Sequence, residues 1–338
     1  MSAMFSPWSV AASCHVIFRL TACLMALMLS SLCHRRNQVL DSLVGESGEC
    51  GTNYMWRYAV MEYRHISYQP GTIARVRLNR PRYRNALSRI LLDELDDAFA
   101  RAVGDEAVRI IVLSGEGDHF SAGHDLGTPE DLADRQERGF FTDRTDSRRV
   151  YPPMREMYFE KTLRWRNLPK PTLAMVHGYC IFGAWMIASA MDLIFASEDA
   201  LFLPAHFQYF STPWDVGPRK AKELLFEHRF MTASEALQYH FVNRVYPRDR
   251  LERETLAYAS RVAEIDPFRL RMAKFSINHM MDTMGFTAEV EAAFHTYILR
   301  ANMEFVESGG REGRSIAGVD MALRNLRLSP WYEKTAGP

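Results

Sequence analysis

The sequence predicts an α/β protein with parallel strands and a helical C-terminal region. Residues 108–113 and 171–176 are continuous apolar runs with the length of buried strands. Ser88 precedes an amphipathic segment, and serine at that place suits the N-cap of a helix. From residue 251 onward the pattern is mainly helical. Strands that alternate with helices are typical of a parallel sheet covered by helices.

Other elements follow from the same patterns. Residues 74–78 alternate apolar side chains with Arg75 and Arg77, which predicts a strand with one buried face. Farther along the chain, residues 193–195 predict another strand. Helices are predicted at residues 183–190 and 220–226.

A long connection separates two of the predicted strands. Residues 128–149 are strongly charged, and we expect a solvated loop there. Residues 154–165 carry apolar side chains at roughly helical spacing and predict a surface helix after it. The alternative is a lid or a wall of an acyl pocket, because connections this long in compact domains are often functional.

Composition excludes several classes of function. The 338 residues contain 41 Lys and Arg against 41 Asp and Glu, so no overall basic field suggests nucleic-acid binding. Four of the five cysteines lie in the first fifty residues, and Cys180 is the fifth. Their spacing matches neither a zinc site nor a disulfide framework. The sequence therefore predicts no metal site.

The first sixty residues differ from the rest of the chain. Residues 20–33 form an uncharged apolar run that is shorter than the ~20 residues of a membrane span. Extending it back to residue 8 would bury Arg19, which is costly. The alternatives are translation from Met61, an export signal or a membrane anchor, so membrane contact is expected only if residues 8–33 belong to the native protein. We predict an extension at 1–60, an α/β core at 61–250, a helical region at 251–338 and a cytoplasmic location.

Two short segments carry the candidate chemistry. Residues 120–126 (FSAGHDL) and 177–185 (HGYCIFGAW) each follow a predicted strand and contain small residues. Backbone N–H groups in such segments can face a ligand, and two of them converging on one carbonyl oxygen would form an oxyanion hole. Each segment alone is also compatible with an ordinary turn in which glycine relieves backbone strain.

Together with their neighbours, these segments resemble the crotonase (enoyl-CoA hydratase/isomerase) superfamily. The resemblance includes residues 75–81, 85–87, 192–196 and 233–247 in the same order. It implies a spiral of ββα units with a helical C-terminal region, which in the family packs over the CoA site and across a trimer interface. It also implies an acyl-CoA substrate, a homotrimer or hexamer, and no cofactor apart from the CoA that the substrate carries.

Position by position, the resemblance assigns the oxyanion donors to the backbone N–H groups of His124 and Gly183. The His124 side chain could be a base or a polar loop residue with its ring turned away. Hydratases of the family use two glutamates, and these positions fall on Met186 and on or near His206. Methionine cannot exchange a proton, so hydration by the two-glutamate mechanism is in doubt. His206 could act alone as acid and base, or it could be a structural or substrate-contacting residue.

Asp215 is the other acid–base candidate. Asp215-Val216-Gly217 resembles a segment of dienoyl-CoA isomerases, and an apolar pocket would raise the pKa of such a carboxyl. The alternative is an N-cap for the helix that follows. Asp125, Met186 and Trp214 are assigned to the substrate pocket.

For CoA, the resemblance points to the loop with Arg82, Tyr83 and Arg84, where cationic side chains suit phosphates. The sequence thus predicts an enzyme that stabilises a thioester enolate and performs double-bond isomerisation or atypical hydration. Hydrolysis of a thioester or carbon–carbon bond is an alternative on the same fold. A non-catalytic acyl-CoA-binding subunit is the alternative outside enzymes.

Overall fold

The computed structural model describes residues 62–138, 147–307 and 315–332. Two sheets organise this part of the chain. The larger has the strand order β1-β2-β3-β4-β6-β9 and the smaller the order β5-β7-β8. The strands are β1 (Ile66–Gln69), β2 (Ile73–Leu78), β3 (Ile110–Gly115), β4 (Thr172–Val176), β5 (Tyr179–Ile181), β6 (Leu193–Ser197), β7 (Leu201–Leu203), β8 (Met231–Thr232) and β9 (Arg244–Tyr246).

Helices flank the sheets and make up the C-terminal region. They are α1 (Arg89–Gly104), α2 (Pro129–Glu137), α3 (Ser147–Met154), α4 (Lys161–Arg166), α5 (Gly183–Ser189), α6 (Thr212–Val216), α7 (Pro218–Glu227), α8 (Ala233–Gln238), α9 (Arg248–Ala263), α10 (Pro267–Thr283), α11 (Phe286–Glu307) and α12 (Ser315–Arg327). A short 3-10 turn spans Pro81–Tyr83, and a π-helical segment, Arg155–Glu160, joins α3 to α4.

The predicted α/β fold is confirmed. Strands β1 and β2 form an antiparallel hairpin, and β3, β4, β6 and β9 extend the larger sheet in parallel. Two strands followed by a helix recur along the chain, as β1-β2-α1, β4-β5-α5 and β6-β7-α6. Because β4 pairs with β6 and β5 pairs with β7, successive ββα units add one strand to each sheet.

Local sequence explains several of these elements. Ser88 caps α1 as predicted, since its side chain accepts a hydrogen bond from the N–H of Leu91 at 3.2 Å. Thr232 caps α8 and Asp266 caps α10 in the same way. Strand β4 is buried along its whole length, whereas β2 alternates buried and partly exposed residues. These patterns match the continuous and the alternating apolar runs.

Two expectations for the long connection are wrong. Residues 129–137 form α2 rather than a loop, because Thr128 caps the helix and Asp131 and Asp134 make buried ion pairs with arginines. The helical run that follows is not a surface helix, because Tyr158 and Trp165 on it are buried in the core. Residues 139–146 lie outside the described residues, so part of the predicted lid is not described.

The described helices include no candidate for a membrane span, as none combines the required length with sufficient apolar character. Residues 8–33, on which the predicted anchor depends, lie outside the described residues.

Candidate active site

The two glycine-containing segments lie side by side, held together by backbone hydrogen bonds. Phe120 N–H donates to the carbonyl of His177 at 2.8 Å, and Ser121 N–H donates to that of Tyr179 at 2.9 Å. In return, Ile181 N–H donates to the carbonyl of Ser121 at 3.1 Å. These segments follow β3 and β4, which are neighbours in the larger sheet. Parallel pairing therefore brings both segments to one edge.

This edge presents the two predicted oxyanion donors. Gly123 adopts φ +85°, and a Cβ built on it would lie 2.4 Å from the carbonyl oxygen of Ile181 and 3.2 Å from the nitrogen of Gly183. Only glycine fits so close an approach. The backbone N–H groups of His124 and Gly183 have no acceptor among the described residues. Two unpaired N–H groups on adjacent segments suit a carbonyl oxygen that gains negative charge.

Backbone strain marks the residue before Gly183. Phe182 has φ 56° and ψ −113°, an uncommon conformation for a residue with a side chain. Its N–H donates to the carbonyl of Leu203 at 2.8 Å, and its ring packs edge-on against Phe207. These contacts hold the peptide bond between Phe182 and Gly183 in place, which fixes the direction of the Gly183 N–H.

The His124 side chain lies beside the same donors. Its Nε2 makes a 3.0 Å hydrogen bond with Oε1 of Gln208, whose amide nitrogen donates to the hydroxyl of Tyr297 at 3.2 Å. The ring packs against Tyr158 with 4.4 Å between ring centroids. Burial lowers the pKa of His124 to about 4, so the imidazole is neutral at pH 7. Its Nδ1 is buried and has no hydrogen-bond partner among the residues that the structure describes.

Asp215 lies in a largely enclosed position. Its Oδ2 accepts hydrogen bonds from Nε1 of Trp185 and from Oγ of Ser211, both at 2.7 Å. Burial raises the pKa of Asp215 to about 7, although these two hydrogen bonds act in the opposite direction. The capping alternative for Asp215 is wrong. The residue lies inside α6, and Gly217 occupies the N-cap of α7.

Helix α5 connects Asp215 to the oxyanion segment. The helix begins at Gly183, and Trp185, two residues later, holds the Asp215 carboxylate. Met186 is fully buried on the same helix. The position to which the resemblance assigns the first hydratase glutamate is therefore apolar, and the carboxyl group that contacts Trp185 on α5 comes from α6.

His206 has a different environment. Its Nε2 lies 3.3 Å from Oγ1 of Thr296, and its ring packs edge-on against Phe210. Arg300 donates to its backbone carbonyl at 3.4 Å. Burial, followed by the positive charge of Arg300, lowers the pKa of His206. These contacts lie mainly on α11, and none joins His206 to Asp215.

Asp125 and Trp214 were predicted in the substrate pocket, and the structure shows other contacts for both. Asp125 is buried and forms a 2.7 Å ion pair with the buried Arg80. It also accepts hydrogen bonds from the backbone and side chain of Thr128, so it holds the end of the first segment in place. Trp214 is half-buried, and its Nε1 donates to Glu289 at 3.0 Å.

The predicted CoA loop lies next to the first oxyanion segment. Arg82 and Tyr83 belong to the 3-10 turn, and Arg84 follows in a left-handed conformation with φ 50°. The carbonyl of Arg84 accepts from the N–H of Ala122 at 2.9 Å. Both arginine side chains belong to exposed residues, so their guanidinium groups are accessible to an anionic ligand.

Several residues of the site were missed by sequence reasoning. Trp185 lies in the second segment, but nothing in the sequence shows that its N–H would reach Asp215. Ser211 and Gln208 lie in an aromatic-rich stretch without a motif of their own. Arg80 lies within residues 75–81, and the sequence assigned it no role in the site. Trp185, Gln208 and Arg80 act through contacts with residues 30 to 84 positions away, which have no local signal, and Ser211 contacts Asp215 four positions along the chain.

Comparisons with known proteins agree with this architecture. The model of the enoyl-CoA hydratase/isomerase family matches residues 69–307. One relative is a Mycobacterium tuberculosis protein named "Putative enoyl-CoA hydratase EchA13". It is 36% identical to this chain over 288 residues, which cover 80% of this chain and 90% of that protein.

Solved structures give the same result. A probable enoyl-CoA hydratase from Mycobacterium thermoresistibile is 42% identical with a TM-score of 0.67, covering 72% of this chain and 98% of that one. An enoyl-CoA hydratase/isomerase from Xanthobacter autotrophicus Py2 is 30% identical with a TM-score of 0.64, covering 82% of this chain and 100% of that one. The predicted family and its crotonase fold are confirmed: this chain belongs to the enoyl-CoA hydratase/isomerase family.

Proposed function

We propose that this protein moves a double bond within an enoyl-CoA thioester. In this proposal the N–H groups of His124 and Gly183 bind the thioester oxygen, and Asp215 transfers a proton at a carbon near the carbonyl. The observation that carries the proposal is the Asp215 carboxyl. It is half-buried, its pKa is about 7, and it is held by an indole on the helix that begins at Gly183.

The chemistry follows from these groups. Removing a proton beside the thioester carbonyl gives an enolate, and the two N–H dipoles stabilise its oxygen without having to reorient. A base with a pKa near 7 is effective because it is partly ionised at working pH and can also return the proton. One carboxyl group can take a proton from one carbon and deliver it to another, which shifts the double bond without adding water.

Met186 favours isomerisation over hydration by two carboxylates. Its side chain is fully buried where the family hydratases have their first glutamate, and a thioether neither binds a proton nor activates water. Two carboxylates on opposite sides of a water molecule are therefore not available here, whereas a single base is sufficient for isomerisation.

Hydration by an unusual route is the second candidate. The names of two relatives that are 36% and 42% identical to this chain describe hydratases. In hydration, Asp215 or His206 would accept a proton from the water molecule that adds to the double bond. Hydrolysis gives a different product and a binding subunit gives none, so one experiment separates all four possibilities.

The experiment is to incubate the full-length protein with 2-enoyl- and 3-enoyl-CoA thioesters carrying short, long, aromatic and polycyclic acyl groups. Products are followed by mass and by ultraviolet absorbance. We expect an unchanged mass with a shifted double bond, and loss of this activity in Asp215→Asn but not in His206→Gln. A gain of water would replace isomerisation with hydration, and release of free CoA would indicate hydrolysis. CoA-ester binding without any turnover would make the protein a binding subunit.

We further propose a homotrimer, or a hexamer made of two such trimers. Helix α10 contributes no buried residue in the single chain, and its apolar side chains are exposed, including Phe268 at 67% and Phe275 at 63%. Exposed apolar patches of this kind mark interfaces between proteins. Sedimentation equilibrium should give three or six chains per particle, and Phe268→Glu combined with Phe275→Glu should give smaller particles. A monomeric wild-type protein would contradict this proposal.

A further inference from the structure

Building on the proposed function, we infer that Trp185 and Ser211 are positioning residues for Asp215. They fix its Oδ2 by two hydrogen bonds and leave Oδ1 as the oxygen that exchanges a proton with the substrate. Neither residue needs to touch the substrate for this role.

The two oxygens of the carboxyl group differ sharply in their contacts. Oδ2 accepts from the indole N–H of Trp185 and the hydroxyl of Ser211, each at 2.7 Å. Among the described residues, Oδ1 has no hydrogen-bond partner, and it is absent from the buried polar atoms that lack one. Oδ1 is therefore the oxygen left accessible for chemistry.

The indole is held in a fixed orientation. The Trp185 ring stacks on Phe241 with 4.0 Å between centroids and an 11° angle between planes, and it meets Phe202 edge-on. Only 2% of the residue is exposed. Since the ring cannot turn between these neighbours, its N–H keeps one direction and so does the carboxyl group that accepts from it.

A second serine extends the arrangement. Oγ of Ser211 lies 2.9 Å from Oγ of Ser189, and Oγ of Ser189 lies 2.9 Å from the carbonyl oxygen of Met186. Each hydroxyl has only one proton to donate. With Ser211 donating to Oδ2, Ser189 has two acceptors for its proton, the hydroxyl of Ser211 and the carbonyl of Met186.

The hydrogen bonds to Oδ2 persist in both charge states of the carboxyl group. When Asp215 is ionised, Ser211 and Trp185 donate to Oδ2. When Oδ1 has taken up a proton, Oδ2 is the carbonyl oxygen of the acid and still accepts from the same two donors, while Ser189 can donate to Ser211 or to the carbonyl of Met186. Both charge states are thus accommodated with the heavy atoms in place, which suits a residue that takes up and returns a proton.

No charged side chain among the described residues contacts Asp215. The titratable group facing it is Tyr209 from the preceding segment, whose pKa burial raises far above its ordinary value, so it stays neutral. The side-chain donors to its carboxyl group are Trp185 on α5 and Ser211 at the N-cap of α6. The protonation of Asp215 is therefore governed by burial and by these donors.

The test measures the pKa of Asp215 directly, by carbon-13 NMR of labelled aspartate in the full-length protein; the signal is assigned with Asp215→Asn. Trp185→Phe keeps a stacked ring but removes a donor that stabilises the ionised form, so we expect the pKa to rise by about one unit. Ser211→Ala should also raise it. Ser189→Ala should change it by less than half as much, because Ser189 supports both charge states.

Trp165→Phe is the matched control. Its indole is also buried and donates at 2.8 Å to a carboxylate, that of Asp96. We expect no change in the pKa of Asp215 in this variant. An unchanged pKa in Trp185→Phe and Ser211→Ala, with both variants folded by circular dichroism, would overturn the inference.

The outcome separates this inference from the proposed function. If the pKa moves as expected but Asp215→Asn still turns over every thioester that the wild type accepts, the positioning role holds and the proposed base is wrong. If Asp215→Asn is inactive but the pKa of Asp215 does not respond to Trp185→Phe or Ser211→Ala, Asp215 remains the proposed base and the positioning role of Trp185 and Ser211 is wrong.

Discussion

The imidazole of His124 packs directly on the Cα of Gly183: a Cβ built on that glycine would lie 2.6 Å from Cε1 and 2.8 Å from Nδ1 of the ring. One residue therefore contributes to the site in two ways. Its backbone N–H is a proposed oxyanion donor, while its side chain, tied to Gln208, covers the second donor segment.

This contact makes Gly183→Ala a sharp test of the oxyanion site. The added methyl group must displace the His124 ring or the backbone, which would move a donor away from the substrate oxygen. Loss of one such donor lowers turnover by about 100-fold or more. We expect this loss in kcat of the purified variant, with the folded state retained by circular dichroism.

Gly104→Ala is the control, because a Cβ at Gly104 at the end of α1 meets no atom within 4 Å. It should keep full activity. Wild-type turnover in Gly183→Ala would remove this N–H from the mechanism.

The buried Arg80–Asp125 pair predicts a stability effect. Arg80→Met leaves the carboxylate buried without its cation, and breaking a buried pair in this way costs about 3–5 kcal/mol. Hydrogen bonds from Thr128 and Arg80 outweigh burial and lower the pKa of Asp125, so removing Arg80 should also raise it. Urea unfolding at pH 7 measures the change in free energy.

Arg77→Met provides the matched comparison, since its ion pairs with Glu116 and Glu252 are largely exposed. We expect a change of about 0.5 kcal/mol or less there. Equal effects of the two substitutions would argue against a role of Arg80 in supporting the first oxyanion segment.

Asp215 also predicts how stability depends on pH. Its pKa is 3.8 without the fold and about 7 within it, so between these values the folded protein binds a proton that the unfolded chain does not. Stability from this group is therefore lost as the pH rises from about 4 to 7, by at most about 4 kcal/mol. Asp215→Asn cannot ionise and should be more stable than the wild type at pH 8, with little difference at pH 4. Urea unfolding of both proteins at the two pH values measures this, and a constant difference would contradict the raised pKa.

The same pKa predicts the pH profile of the reaction. A base must be ionised to accept a proton, so kcat/KM should rise with pH and level off above about pH 7. His124, with a pKa of about 4, should add no step between pH 5 and 8. A profile that falls across this range would instead indicate an acid in the free enzyme. Stopped assays between pH 5 and 9 give the curve.

Arg82 and Arg84, at the 3-10 turn, are predicted to contribute to the binding of CoA thioesters but not to the chemical step. Arg82→Ala and Arg84→Ala should each raise KM for CoA thioesters by roughly 10-fold, with kcat nearly unchanged, because a charge-assisted contact to phosphate is lost. Arg253→Ala on α9, whose side chain is 69% exposed, should leave both constants unchanged. An unchanged KM in both turn variants would place the phosphates elsewhere.

The sequence by itself determined the family, the ββα order and the two segments that form the proposed oxyanion site. These features are local: apolar runs fix strands, Ser88 fixes a helix start, and glycines such as Gly123 are required by backbone geometry. The resemblance to the family also assigns Met186 to the position of a hydratase glutamate, and this assignment already put the two-glutamate mechanism in doubt.

Tertiary structure decided how the side chains act. The sequence left Asp215 as either a base or a helix cap, and its place inside α6, with Gly217 as the N-cap of α7, rules out the cap. The charged segment that predicted a loop became α2, because Thr128 caps the helix and its buried carboxylates pair with Arg135 on the same helix and with Arg89 on α1. Hydrogen bonds, burial and pKa shifts all depend on which residues meet across the fold, and the spacing of residues along the chain does not contain that information.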